Sequence, residues 1–300
     1  MREMRKMKTY EAIAIPGSQC DLGEGTLWDE RSKRFVWVDV FDGFVKTYDP
    51  TNGDIREYDY KSMVTYVGKR ASGGYILALG DSIALTDGNF KIEREIPLGL
   101  DLKVVRTNDG NIDPSGCLWV GGAESIPGSA TGDLFKIDGN FNKSIHRKNI
   151  HIANGIDWSI DRKMMFYIDS ATRKISRYKF DSEKSEIVSE LTPIDVSDVT
   201  GLPDGMCTDS QSNIWVAFYG CGQVRNYSPE GELLNIVQAP TALTTCASFG
   251  GKDLKTLFIT SVKDYRSPEF AFDPKNDPYG GMCFEVELPI SGKLDFSFNA

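Results

Sequence analysis

Two carboxylates and two carboxamides stand at one spacing in this sequence. Glu24, Asn108, Asn154 and Asp204 each precede a polar turn residue, Asp29, Asp113, Ser159 and Asp209, by five positions. Oxygen donors of these kinds suit a hard divalent cation such as Ca²⁺, Mg²⁺ or Mn²⁺. Where two carboxylates converge in a confined space, either one takes up a proton or a cation sits between them. The bland alternative is that the Asn-Gly and Asp-Gly pairs only mark turns and the acids solvate a channel mouth. The shared offset favours the cation. A glycine follows each group closely, as Gly25, Gly110, Gly155 and Gly205, which lets backbones crowd a narrow axis.

Other chemistries lack their parts. The only histidines are His146 and His151, and no GxSxG elbow accompanies either, so a Ser-His-Asp hydrolase is poorly provided for. Asp109 to Val120 begins like an EF-hand loop, but Pro114 stands where the turn needs glycine and position twelve is Val120. Neither a GxGxxG nor a P-loop is present. The six cysteines, at 20, 117, 207, 221, 246 and 283, form no CxxC pair and read as small buried hydrophobes of a reducing compartment, the cytoplasm. A net charge of -9, from 34 basic and 43 acidic residues, argues against nucleic-acid and anionic-membrane partners. Residues 1–8 are basic and expected to be flexible, and no apolar run reaches the roughly 18 residues of a membrane span.

The four polar groups can meet only if a repeated element presents them alike, and such a repeat is present. Apolar segments RFVWVDV, GYILALG, CLWVGG, MFYIDS, NIWVAFY and TLFITSV are anchored at Trp37, Leu77, Trp119, Tyr167, Trp215 and Phe258, in steps of 40, 42, 48, 48 and 43 residues. Each follows a polar turn, so each is half of a hairpin. A period in the forties with several short strands per unit predicts an all-β fold, a six-bladed β-propeller of four-stranded antiparallel blades around a central metal-binding channel. Residues 1–300 are expected to form one such domain. KTYEAIAIPG and GGMCFEVELP, near the two ends, are expected to complete one blade together and so protect its edges. Blades whose offset position is Tyr66 or Thr245 would add neutral supporting groups to the ring.

The segments LGEGTLWDERSKRFVWVDV, RTNDGNIDPSGCLWVGG, NGIDWSIDRKMMFYIDS and GLPDGMCTDSQSNIWVAFYG closely resemble those of the regucalcin/gluconolactonase family, also called the senescence-marker-protein family. The likeness runs from Leu22 to Val286. It implies a six-bladed propeller with one divalent cation in its channel, Ca²⁺ ranking first and Mn²⁺, Mg²⁺ and Zn²⁺ as alternatives. It further implies hydrolysis of a sugar lactone. By motif, Glu24, Asn154 and Asp204 resemble the direct metal ligands, and Arg106 and Asn108 the pair that holds the substrate. Many relatives carry a sugar-contacting glutamate further along; the aligned position is near Ile126, and Glu124 is the neighbouring candidate, out of register. Asp204 is the expected general base. The expected partner is a small-molecule lactone, with the protein a monomer or weak homodimer. Rival readings are another metal-dependent esterase on the same fold, phosphotriesterase-like, and a noncatalytic calcium-binding regulator. The Lys263 to Gly281 loop is the least family-like part.

Overall fold

The computed structural model describes residues 7–126, 128, 131–264 and 277–300. The start at 1–6 and most of the Lys263 to Gly281 loop lie outside the described residues. Six sheets make up the fold, a six-bladed β-propeller, antiparallel except for one parallel edge strand in each of two blades, and the only helical piece among the described residues is a 3₁₀ turn at Ser170–Thr172. No helix there is long and apolar enough to cross a membrane.

The inner strands of blades one to six are Gly23–Asp29, Tyr66–Arg70, Val105–Ile112, Ala153–Trp158, Leu202–Thr208 and Thr244–Gly250. Each packs against the next and the sixth against the first, which closes a ring around the channel. The second strands are Arg34–Asp39, Tyr75–Ala78, Leu118–Glu124, Met164–Asp169, Ile214–Tyr219 and Thr256–Ser261. They carry the six anchors, every one of them buried between blades, each stabilising by roughly 1.5–3 kcal/mol.

The turn acids explain why turn and anchor recur together. In blade three, Asp113 Oδ1 accepts the N–H groups of Ser115 and Cys117 while Oδ2 accepts from Trp119 Nε1 at 2.9 Å. In blade five, Asp209 does the same for Gln211, Asn213 and Trp215. One carboxylate therefore fixes both the chain reversal and the rotamer of the anchor that follows it.

Ring closure joins the two ends as expected. Ile13–Ala14 pairs antiparallel with Phe284–Glu287 as the outer strand of blade six. The expectation of a flexible stretch reaching Lys8 is corrected at its end. Lys8 opens the strand Lys8–Glu11, which adds in parallel to Leu233–Gln238 on the outer edge of blade five. At the far mouth of the channel, the last ten residues cross from blade to blade. Ser210 N–H donates to Ser291 O, Gly292 N–H to Leu254 O, and Asn299 N–H to Gly116 O, while Ser297–Phe298 pairs in parallel with Lys69 and Arg70. Among the described residues, blade two and blade five thus have five strands each, and the others four.

Candidate functional site

Five of the six inner strands break register where the polar residue sits. The breaks fall between Glu24 and Leu27, Thr107 and Gly110, Asn154 and Ile156, Pro203 and Met206, and Thr244 and Ala247. A bulge takes Asn108 and Asp204 out of the ladder, whereas Glu24 and Asn154 are the last paired residues before it. Blade two runs without a break from Tyr66 to Lys69. Its Tyr66 lines a small internal cavity of about 30 Å³ deeper in the channel, and the neighbouring Thr65 hydroxyl bonds Thr107 Oγ1 at 2.8 Å. Thr245 supports from behind, donating to Gly23 O at 2.5 Å next to Glu24.

The glycines after the polar residues are needed for packing. A Cβ on Gly155 would lie 2.8 Å from Asp204 O, and one on Gly205 would lie 2.6 Å from Cys246 Sγ. Small residues there let the inner strands approach closely enough for their side chains to share one site.

A hydrogen-bond chain runs around one side of the mouth. Arg106 Nη1 donates to Asn108 Oδ1 at 2.6 Å and to Thr107 O at 2.9 Å. Asn108 Nδ2 donates to Ala153 O at 2.7 Å and to Asn154 Oδ1 at 3.1 Å. Asn154 Nδ2 donates to Ser170 Oγ at 2.7 Å, and Ser170 in turn donates to Pro203 O, beside Asp204. The amide nitrogen of Asn154 is thereby committed to Ser170, which leaves its oxygen on the Asn108 side. Two further acids pin the entries to inner strands. Asp39 accepts the N–H groups of Asp21 and Leu22, and Asp169 those of His151 and Ile152.

Ser170, Asp39 and Asp169 escape sequence reasoning because they come from second strands or the turn after them. Asp109 escapes it too, although its position beside Asn108 in RTNDG was a usable signal. Both residues lie in the two-residue bulge, and Asp109 is buried in the channel with Oδ1 accepting Gly110 N–H at 2.7 Å.

Three acids therefore crowd one end of the channel. Burial, then Asp204 and Asp109, push the Glu24 carboxyl well above the usual range. Burial and Asp109 do the same to Asp204, and burial takes Asp109 up to about 7. Arg106 is pulled down to about 10 by burial, opposed by Glu24. With all three acids ionised, Glu24, Asp109, Asp204 and Arg106 carry a formal charge of -2, which one divalent cation cancels. Asp204 Oδ1 is buried with no hydrogen-bond partner among the described residues, although such an acceptor is costly to leave unmatched. Among the described residues no three His, Cys, Asp or Glu side chains form a group that could hold a metal ion, so a third oxygen donor beside Glu24 and Asp204 would have to be an amide such as that of Asn154. Two carboxylates, one with an unmatched oxygen at Asp204 Oδ1, and the Asn154 amide are donors of the kind that fit a hard cation.

Glu124 is not brought to this group. It stands opposite Val105 while Arg106 stands opposite Ala123, so Glu124 and Arg106 occupy opposite faces of the sheet. Its carboxylate accepts Gly128 N–H at 2.7 Å.

Residues 22–263 match the SMP-30/Gluconolactonase/LRE-like region. The chain is 31% identical over 274 residues to 6-deoxy-6-sulfogluconolactonase of Pseudomonas putida, covering 90% of this chain and 92% of the relative. It is 30% identical over 300 residues to regucalcin of Gallus gallus, covering 97% and 99%. The fold superposes on a calcium-binding protein, regucalcin, of Agrobacterium tumefaciens with a TM-score of 0.89 at 21% identity, over 98% of this chain and 100% of that one. On the match over most of its length, the chain belongs to the SMP-30/gluconolactonase/LRE-like family.

Proposed function

We propose that this protein hydrolyses a small lactone of the aldonolactone kind to its hydroxy acid, using one divalent cation held by Glu24, Asn154 and Asp204. The observation that carries the reading is the unmatched Asp204 Oδ1 within a ring of oxygen donors beside Arg106. Lactonases among the relatives support the reaction class, and a relative described as calcium-binding supports Ca²⁺ as the first choice of metal. When bound, the cation supplies Lewis-acid polarisation of the ring ester carbonyl and keeps nearby carboxylates ionised.

The protein's own groups do the rest. Asp204 accepts a proton from the attacking water, and its aim is fixed by the bulge at Pro203 and by the Ser170 bond to Pro203 O. Arg106 and Asn108 hold the substrate's oxygens, so that the reacting groups meet without a search. Arg106 is half-buried with Phe41's ring 5.6 Å away, and its bond to Asn108 fixes both side chains before any substrate arrives. A protein that only stores calcium needs no guanidinium beside its ligand set, and Arg106 therefore favours an enzyme over a regulator.

The deciding experiment is a panel of aldonolactones assayed with Ca²⁺, Mg²⁺, Mn²⁺ and Zn²⁺ added back to metal-stripped protein. Hydrolysis with at least one cation and none without is the expected result; no lactone cleaved under any cation overturns the reading. Binding to the native ring alone should also raise the melting temperature with cation concentration, by about 2.7 kcal/mol of added stability at a hundredfold excess over Kd. A flat melting curve across the titration would remove the native site.

Arg106→Ala tests the substrate-holding role separately. The ligand set stays, so the cation-induced rise in melting temperature should persist or grow, while kcat/KM falls about 10- to 100-fold for a lost charged hydrogen bond. Unchanged kinetics on every cleaved lactone would end that assignment.

A further inference from the structure

The ring is closed by a strand of only two residues, Ile13–Ala14, laid against Phe284–Glu287. Cys20 lies just beyond the first of these strands and Cys283 immediately before the second. Both sulfurs turn to the same oxygen: Cys20 Sγ lies 3.5 Å from Ser18 O and Cys283 Sγ 3.8 Å from it. The backbones are tied as well, with Cys20 N–H donating to Gly281 O and Ile15 N–H to Cys283 O, both at 2.8 Å. Ser18 Oγ accepts Cys283 N–H at 2.9 Å, and Trp37 Nε1–H donates to Cys20 Sγ at 3.1 Å. The two thiols share one small buried cluster at the seam of the propeller.

We infer that Cys20 and Cys283 are a modification site, a thiol pair that closes into an intramolecular disulfide across the ring seam when a low-molecular-weight disulfide is present. The exchange balances without any further reagent. One cysteine thiolate attacks an external disulfide such as oxidised glutathione, forming a mixed disulfide and releasing one small thiol. The second cysteine attacks that mixed disulfide and expels the other small thiol. Two protein thiols are oxidised, one external disulfide is reduced to two thiols, and two protons pass to the released thiols.

Both sulfurs are buried in the closed seam, at 3% and 0% exposure. Burial, then contact with Cys20, pushes the Cys283 thiol well up, so the reaction waits on local opening. The seam is the place to open: its closing ladder has two rungs, and Ile13 is 65% exposed on the outer edge. The other close pairing of thiols is different in kind. Cys207 and Cys246 line the cavity inside the channel, away from any short edge strand.

The test uses the full wild-type chain, incubated with oxidised glutathione, unfolded, alkylated and mapped by mass. A joined peptide containing Cys20 and Cys283, lighter by two hydrogens, is the expected product. It should come with a melting temperature raised by about 5–10 °C, since the bond links positions far apart in sequence, and the rise should vanish on reduction. Cys20→Ser and Cys283→Ser should each remove the joined peptide and the rise; if either fails to fold, the wild-type map still decides. A map that joins Cys207 to Cys246, glutathione adducts that never resolve, or all six thiols still alkylated after prolonged oxidation would each overturn the assignment.

Discussion

Asp204→Asn should lower lactone turnover about 10²- to 10⁴-fold at saturating cation, the usual worth of a positioned general base. The substitution keeps an oxygen donor at a position with no spare room, since Asp204 is buried and its backbone oxygen would meet even a single added carbon on Gly155. Cation binding should therefore weaken modestly and remain measurable by the melting shift. Asp204→Ala removes donor and base together, so it should abolish turnover and also blunt the melting shift. The two variants separate the roles because a base that is merely a ligand would fail in both in proportion to lost cation. Near-normal turnover in Asp204→Asn assigns the proton to another group, and Asp109, at about 7 in the same channel end, would be the next to test.

The second large effect is expected on stability, at the other end of the channel. Lys293, carried in by the closing segment, donates to Asp157 Oδ1 at 2.6 Å, with both side chains almost fully buried. Asp157 Oδ2 also accepts the backbone N–H and hydroxyl of Thr208, at 2.7 and 2.9 Å. Nearby, Asp295 is raised by burial and held down in turn by Lys293 and Lys69. Lys293→Ala would leave two buried acids without their shared cation, which costs about 3–5 kcal/mol when one partner of a buried pair is removed. Adding Asp157→Asn to the same chain should recover much of that loss, because the amide keeps an acceptor for Thr208 without the charge. Urea midpoints for the three proteins check this, and a loss under about 1 kcal/mol for Lys293→Ala would place the pair in solvent-screened territory.

The ring could be read from sequence because two signals repeat in step, a buried anchor and the turn acid that orients it. Trp119 with Asp113 and Trp215 with Asp209 are one device used twice, and counting back from the turn reaches the mouth of the channel. The bulges could not be read. A bulge is a backbone state with no fixed composition, and its length differs even here, two residues out of ladder at Asn108–Asp109 and one at Gly155. A constant offset therefore reached Asn108 but passed over Asp109, and in unbulged blade two it reached Tyr66, which faces the deeper cavity. Ser170 and Asp169 act across strands through contacts that no local pattern records. Glu124 shows the converse: a place on the strand that pairs with Arg106's strand says nothing of which face it occupies until register is known. The crossing segment after Leu288 has a two-residue parallel strand, too short to leave a periodic trace.

The seam at Ile13–Ala14 and Phe284–Glu287 also sets a schedule for synthesis. A ribosome adding about 5–20 residues per second makes the four consecutive strands of each of the first five blades before it makes Phe284–Glu287, the partner that Ile13–Ala14 needs. During that interval the early strand has no ladder, and the unfinished sixth sheet offers Thr256–Ser261 with its outer neighbour still missing. Unpaired strands of this kind are the edges on which nascent chains mispair with one another. Slow passage through the last fifty codons would prolong that exposure, and a permuted gene that starts between two blades would move the seam to a different pair of strands.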